Sequence, residues 1–137
     1  MTSVYGHHLL QIGIALLLVT CLQGFSIGRA RTPRLALAAH TVGLFMSLLL
    51  LALGLIWPAL RFNQTLSAIA FWLLLYSAFG TWLPYVLGSM WGAGSSMLPL
   101  AAGAARGSTS QEQVIKILLM TSALTTIATL ALILWAL

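Results

Sequence analysis

The stretch RTPRLALAAHTVGLFMSLLLLALGLIWP, residues 31–58, decides the fold class of this chain. From position 35 to position 57 it contains no Asp, Glu, Lys or Arg, and its only ionisable side chain is that of His40. A membrane-spanning helix needs about 20 consecutive apolar residues, so the stretch is long enough to cross a bilayer. It therefore predicts a transmembrane helix that carries one histidine at membrane depth.

The rest of the chain has a similar composition, since 61% of its 137 residues are hydrophobic and 5% are charged. A soluble domain carries roughly 25% charged residues. The apolar stretches lack the period-two alternation of a membrane β-barrel, so they predict helices. We place these helices at about residues 8–27, 35–57, 66–87 and 114–137, with a re-entrant or interfacial loop at about 88–112. The predicted fold is an all-α integral membrane protein, one four-transmembrane-helix bundle over residues 1–137.

The basic residues predict how the helices are oriented in the membrane. Five of the six lie in or beside the first and third loops, and one lies in the second loop. In chain order they are Arg29, Arg31, Arg34, Arg61, Arg106 and Lys116. Cytoplasmic loops carry an excess of Lys and Arg, so loops one and three are expected in the cytoplasm and both termini outside. Because these residues flank apolar spans, the positive charge predicts no nucleic-acid partner.

Glu112 is the only carboxylic acid side chain in the chain, and this excludes several kinds of chemistry. No pair of carboxylates is present for acid–base hydrolysis, and a Ser-His-Asp triad is impossible without Asp. A transporter with a membrane-embedded carboxylate relay is disfavoured for the same reason. We expect Glu112 to act as a favourable charge near the N-terminus of the last helix, not as a catalyst.

His40 lies on a stripe of the second helix whose members recur every three or four residues. The stripe consists of Ala36, His40, Gly43, Ser47, Leu50 and Gly54. Small residues at this spacing let helices approach closely in lipid, so His40 is expected to face protein. Three roles stay open for it: a neutral imidazole that hydrogen-bonds across a helix contact, an acid–base group, or an axial ligand of haem iron.

The haem reading makes further predictions about the neighbours of His40. Gly43 would remove bulk where a porphyrin lies, and Met46 or Met97 would be a candidate for a sixth ligand. With one protein ligand only, the open position on the iron would suit the binding or activation of a substrate.

Segment 91–107, WGAGSSMLPLAAGAARG, is too apolar for an ordinary solvent loop and is interrupted by Pro99. Irregular backbone near a membrane is tolerated where it is buried in protein or lines a cavity. The segment is therefore either the wall of a pocket or a plain surface connector. Four aromatic side chains line the same cavity or form an interfacial belt. They are Trp72, Tyr76, Trp82 and Tyr85.

The last helix carries a stripe of hydroxyl side chains. Its members are Ser122, Thr125, Thr126 and Thr129. We expect them to support helix packing and to hydrogen-bond back to the backbone of their own helix.

Two separated motifs resemble those of the hydroxylaminobenzene mutases. PRLALAAH and ALGLIWP, joined by one helix, resemble the second helix of that family. WGAGSSMLPLAAG followed by QEQVIKILL resembles its third loop and fourth helix. The resemblance covers roughly residues 33–137 and implies an isomerase that converts hydroxylaminobenzene to 2-aminophenol.

The related styrene oxide isomerases imply a homotrimer with haem b at the subunit interfaces. By this resemblance His40 is the iron ligand and Tyr85 is a second catalytic residue. Gly43 is expected beside the cofactor because of its small size. The small aromatic substrate is expected against Met46, Ser47, Trp82 and Trp91. The implied location is the lipid bilayer of a bacterial-type inner membrane.

Two positions depart from the family pattern, in which Glu and Asn follow the histidine two and six residues later. This chain has Val42 and Met46 there. The alternatives are therefore an isomerase of aryl epoxides, of the styrene oxide isomerase type, and a non-catalytic haem-binding or structural membrane protein.

Overall fold

A computed structural model describes residues 3–137, and within them the chain is almost entirely helical. The four long helices are α1 (Val4–Gly24), α2 (Pro33–Ile56), α3 (Gln64–Trp91) and α5 (Thr109–Ala136), and the short α4 (Pro99–Ala102) lies between the last two. All four long helices have the length and apolar composition needed to cross a membrane. The predicted all-α class and the presence of four long apolar helices that could span a membrane are thus confirmed.

The long helices begin at residues that can satisfy their first backbone N–H groups. Asn63 accepts a hydrogen bond from the N–H of Leu66 at 2.8 Å, so its side chain caps α3. Ser108 and Gln111 form a reciprocal capping box at the start of α5. Each capping side chain of this kind stabilises a helix end by about 1 kcal/mol.

The helix bounds differ from the predicted ones at several ends. α1 begins four residues earlier than expected, at Val4, and ends at Gly24. α3 continues through Pro84 as far as Trp91, because a proline removes only one helical hydrogen bond and an apolar environment strongly favours keeping the others. α5 begins at Thr109 because Ser108 caps it there.

The helices pack in a row that follows chain order. α2 packs against α1 and α3, and α5 packs against α3. The predicted stripe of α2 is confirmed as its inner face, because its members are buried except for the half-buried His40. The opposite side of α5 is open, and Leu124 and Leu134, for example, are 68% and 74% exposed.

Hydroxyl groups join α3 to α5. The Oγ atoms of Ser77 and Thr126 are hydrogen-bonded to each other, and Thr81 donates to Ser122 at 3.2 Å. Thr126 and Thr129 also donate to backbone carbonyls one turn earlier on α5, each at 2.7 Å. The predicted bonding of this stripe to its own backbone is therefore confirmed.

The first and third loops meet at the same end of the molecule. Arg31 Nη1 donates to the carbonyl oxygen of Trp91 at 3.2 Å. The backbone N–H of Thr32 donates to the carbonyl oxygen of Ser89. At the opposite end, the N–H of Arg61 in the second loop donates to the carbonyl of Ala136 near the C-terminus. This arrangement groups the loops as predicted, whereas the membrane side that each end faces stays a prediction.

Candidate active site

His40 is held at the contact between α2 and α1. Its Nδ1 atom lies 2.9 Å from the carbonyl oxygen of Thr20. Its ring packs against Gly24, where an added Cβ atom would lie 3.2 Å from the His40 Cε1 atom. Because a carbonyl oxygen only accepts hydrogen bonds, Nδ1 carries a proton and donates it to Thr20. The contact with α1 thus selects the tautomer and orientation of the imidazole.

This environment of His40 fits an axial ligand of haem. A metal-binding histidine usually donates its other ring N–H to a carbonyl or carboxylate oxygen, as His40 does. Nε2 makes no hydrogen bond to any part of the chain that the structure describes. Residues 3–137 contain no cluster of three or more His, Cys, Asp or Glu side chains that would bind a bare metal ion. Haem iron needs only one such ligand, because the porphyrin supplies four nitrogens.

Buried polar atoms lie one turn further along α2. Thr20 Oγ1 and Trp82 Nε1 stand 2.5 and 2.8 Å from the place that a Cβ atom on Gly43 would occupy. Neither atom has a hydrogen-bond partner within the described residues, and the same holds for Gln23 Oε1. A buried polar group without a hydrogen bond typically lowers the free energy of unfolding by about 1–3 kcal/mol. α1, α2 and α3 therefore meet, close to His40, at a place where buried polar atoms lack hydrogen-bond partners.

The space beside Gly43 is already filled in this chain. Side chains of α1 and α3 take the room that was expected for a porphyrin, so Gly43 serves the close packing of helices. Met46 packs against the hydrophobic core, and the Ser47 hydroxyl donates to the Gly43 carbonyl at 2.6 Å.

Tyr85 lines a second feature, an apolar cavity of about 380 Å³ between α2, α3 and the third loop. The other lining residues are Ala38, Met97, Leu98, Pro99, Leu100 and Ala101. This volume is at the lower end of the range for small-molecule pockets, about 300–1,000 Å³. Residues 97–101 of the third loop thus lie along this cavity, in agreement with the interpretation of the loop as a pocket wall.

The structure does not gather the predicted pocket residues around Tyr85. Met46 and Ser47 lie eight or nine residues beyond Ala38, so they stand about 12–13 Å further along the helix axis. Trp91 ends α3, where its carbonyl binds Arg31. The cavity is lined by residues 97–101 and not by Met46, Ser47, Trp82 or Trp91, whose contact with the substrate stays a prediction.

His40 and Tyr85 lie on different sides of α2. The cavity that Tyr85 lines reaches α2 at Ala38, two residues before His40. Two residues correspond to about 200° around a helix axis. His40 instead faces Thr20 on α1. Within one chain, the two candidate catalytic side chains are therefore not part of one pocket.

Sequence reasoning missed Thr20 and Ala38 as members of these sites. Both are ordinary residues of apolar helices, and only the register of α1 and α3 on α2 brings them to His40 and Tyr85. The run from Met97 to Ala101 could be recognised in the sequence, because it is apolar whereas loops between helices are usually polar.

Comparison with known proteins places this architecture in a family. The family model described as styrene oxide isomerase matches residues 5–137. Hydroxylaminobenzene mutase HabB of Ectopseudomonas oleovorans is 40% identical over 129 residues, which cover 94% of this chain and 79% of the relative.

A second mutase from the same organism, hydroxylaminobenzene mutase HabA, is 34% identical over 112 residues. The alignment covers 82% of this chain and 83% of that relative. No solved structure matches the chain. The chain belongs to the styrene oxide isomerase family, and it is an isomerase of the mutase type.

Proposed function

We propose that this protein is a membrane isomerase that converts hydroxylaminobenzene to 2-aminophenol with haem b bound to His40. The observation that carries the proposal is the His40 imidazole, whose Nδ1 atom is engaged by the Thr20 carbonyl at 2.9 Å while Nε2 stays free. The name of the relative that is 40% identical supports the choice of substrate.

The reaction fits a chain with one carboxylate. One N–O bond breaks, one C–O bond forms at the ortho carbon, and one proton leaves that carbon while the nitrogen gains one. Atoms and electrons balance within the substrate, so no oxidant, reductant or second substrate is needed. Haem iron, when bound, supplies a Lewis acid that polarises the N–O group.

The residues of the chain have three tasks in this scheme. His40 holds the iron, and the hydrogen bond from Nδ1 to the Thr20 carbonyl keeps its imidazole oriented. The apolar cavity holds the aromatic ring in place against the third loop. The Tyr85 hydroxyl donates or accepts the migrating proton. An apolar substrate reaches such a site through the lipid, which accounts for the membrane location.

We propose further that the site is shared between copies of the chain in a homotrimer, with haem at the subunit interfaces. Because His40 does not line the Tyr85 cavity within one chain, a site shared between copies is one way to bring the two residues together. The exposed apolar faces of the helices leave surface for such contacts. The cytoplasmic placement of loops one and three in the inner membrane is part of the same proposal.

A second substrate class is favoured by the family model, whose description names styrene oxide. Epoxide isomerisation is also internal and needs no co-substrate. The same Lewis acid and the same apolar cavity would serve it. We therefore propose aryl epoxides as the alternative substrates.

The test is an assay of detergent-purified, haem-loaded protein with each substrate separately. We expect 2-aminophenol from hydroxylaminobenzene, with a larger kcat/KM than for styrene oxide. A larger kcat/KM for styrene oxide would support the alternative. No product from either substrate, in protein shown to contain haem, would contradict both.

A further inference from the structure

Glu112, the only carboxylate of the chain, has no part in the proposed chemistry, yet it is heavily hydrogen-bonded. Its two oxygens accept six hydrogen bonds from backbone and hydroxyl donors. The donors are the N–H groups of Gly94, Ser95, Ser96 and Gly107 and the hydroxyls of Ser95 and Ser96. The shortest bond, from Gly94, is 2.8 Å, and the longest are 3.4 Å. Bonds to an ionised acceptor are roughly twice as strong as neutral ones.

These bonds tie both ends of the loop 92–108 to one side chain in the first turn of α5. Residues 94–96 follow the end of α3, and Gly107 comes just before the start of α5. Gly107 also packs so closely on Ala93 that an added Cβ atom would overlap the Ala93 side chain. The two ends of the loop are thereby closed on each other at the Glu112 carboxylate.

The middle of the same loop forms the wall of the Tyr85 cavity. Residues 97–101 line it, and Ser96, directly before them, bonds to Glu112 through both its N–H and its hydroxyl. Gly94 has a φ of 115°, a conformation that favours glycine, so the chain turns sharply at the point where the carboxylate binds it. The distance between the loop wall and α3 therefore depends on the Glu112 bonds.

We propose that Glu112 is a positioning residue, which fixes the loop 92–108 so that residues 97–101 form the wall against which the aromatic ring of the substrate packs. This inference rests on the proposed function, because it takes the Tyr85 cavity as the substrate pocket. It assigns no chemical step to Glu112. Its effect is on the binding of the ring, through a segment that the carboxylate holds in place.

The kinetic test compares Glu112→Gln with Gln113→Ala, a matched control at an exposed neighbouring position. Gln retains one acceptor oxygen but turns an NH₂ group toward the N–H and hydroxyl donors. We expect KM for hydroxylaminobenzene to rise about tenfold, which corresponds to the low end of the effect of losing one charge-assisted hydrogen bond. We expect kcat to change less than about twofold, since contacts made equally in ground and transition states affect KM alone. Gln113→Ala should match the parent.

A second test needs no turnover. In a Cys21→Ser background, Ala101→Cys places a thiol in the cavity wall, and its rate of maleimide labelling reports how open the wall is. We expect faster labelling with Glu112→Gln, and equally with Gly107→Ala, which separates the loop ends by a different route. Nitrobenzene, an unreactive aromatic of similar size, should slow labelling in the parent and much less in either variant.

The outcomes separate the two proposals. If the parent converts neither substrate, the proposed function fails, while the labelling comparison still decides whether Glu112 holds the wall. Unchanged KM and unchanged labelling in Glu112→Gln would overturn the inference. The inference would also be overturned if KM were unaltered and the apparent kcat fell only in proportion to the fraction of folded protein. Glu112 would then support the fold alone.

Discussion

The imidazole of His40 on α2 donates its Nδ1 proton to the carbonyl oxygen of Thr20 on α1, over 2.9 Å. This bond joins two neighbouring helices, and the second ring nitrogen makes no hydrogen bond to the part of the chain that the structure describes. One nitrogen is thus fixed by backbone, and the proposed account of catalysis assigns the other to haem iron.

Tyr85→Phe tests the proton-transfer role of the phenol. Loss of the hydroxyl should lower kcat about 10²–10⁴-fold, the usual contribution of a positioned acid–base group. Haem content should stay at the parental level, because Tyr85 is not its ligand. Steady-state kinetics and an absorption spectrum measure the two quantities. The control is Tyr76→Phe, which removes a hydroxyl that is hydrogen-bonded to Thr121 and faces away from the cavity. Equal activity in the two variants would remove Tyr85 from the mechanism.

Gly43→Ala tests the close meeting of α1, α2 and α3. The added methyl group would stand under 3 Å from atoms of Thr20 and Trp82, so the helices would have to move apart. Overpacking of this kind destabilises a fold by about 1–3 kcal/mol. The midpoint of thermal unfolding in detergent should fall accordingly. Gly28→Ala is the matched control, because no atom lies within 4 Å of its added methyl group. An unchanged midpoint in Gly43→Ala would show that this contact is loose.

Gly24→Ala tests whether the imidazole must keep its position on α1. Its methyl group would lie 3.2 Å from Cε1 of His40, and the ring would have to tilt. We expect a displaced Soret maximum and faster loss of haem to apomyoglobin, with Gly28→Ala again as the control. If the spectrum and the rate of haem loss are those of the parent, the ring is not constrained by α1 as described.

Mixed oligomers test whether the site is shared between copies. Neither His40→Ala nor Tyr85→Phe should be active alone. Co-expressed with separate affinity tags and purified through both, they should regain activity, because some interfaces then hold both native side chains. Recovery would support a site between chains. Mixed oligomers as inactive as the separate variants would place both residues in a single chain.

The helical spans and the inner face of α2 were predictable because both depend on local periodicity. A spacing of three and four residues between Ala36, His40, Gly43 and Ser47 defines one face of a helix in any register. The bonding of Thr126 to its own backbone was predictable for the same reason. The start of α5 was missed although Ser108 and Gln111 carry the pattern of a capping box.

The contacts between distant parts of the chain were not predictable from one sequence. That Thr20 faces His40 depends on how α1 and α2 slide along each other, which composition does not specify. The bonds of Glu112 to Gly94 and Gly107 pair a side chain with backbone N–H groups, whose directions follow from turn geometry and leave little trace in residue type. Met46 was grouped with the pocket by resemblance, but the helical rise carries it away from the cavity.

The absorption spectrum of the purified protein, recorded beside His40→Ala, tests the central claim most directly. The protein is produced with ample haem, and circular dichroism checks that the variant keeps its helices. We predict a Soret band in the parent and its loss in His40→Ala, with recovery when imidazole is added to the variant. A parent without a Soret band, or a band of equal height in both proteins, would contradict the assignment of His40 as the iron ligand.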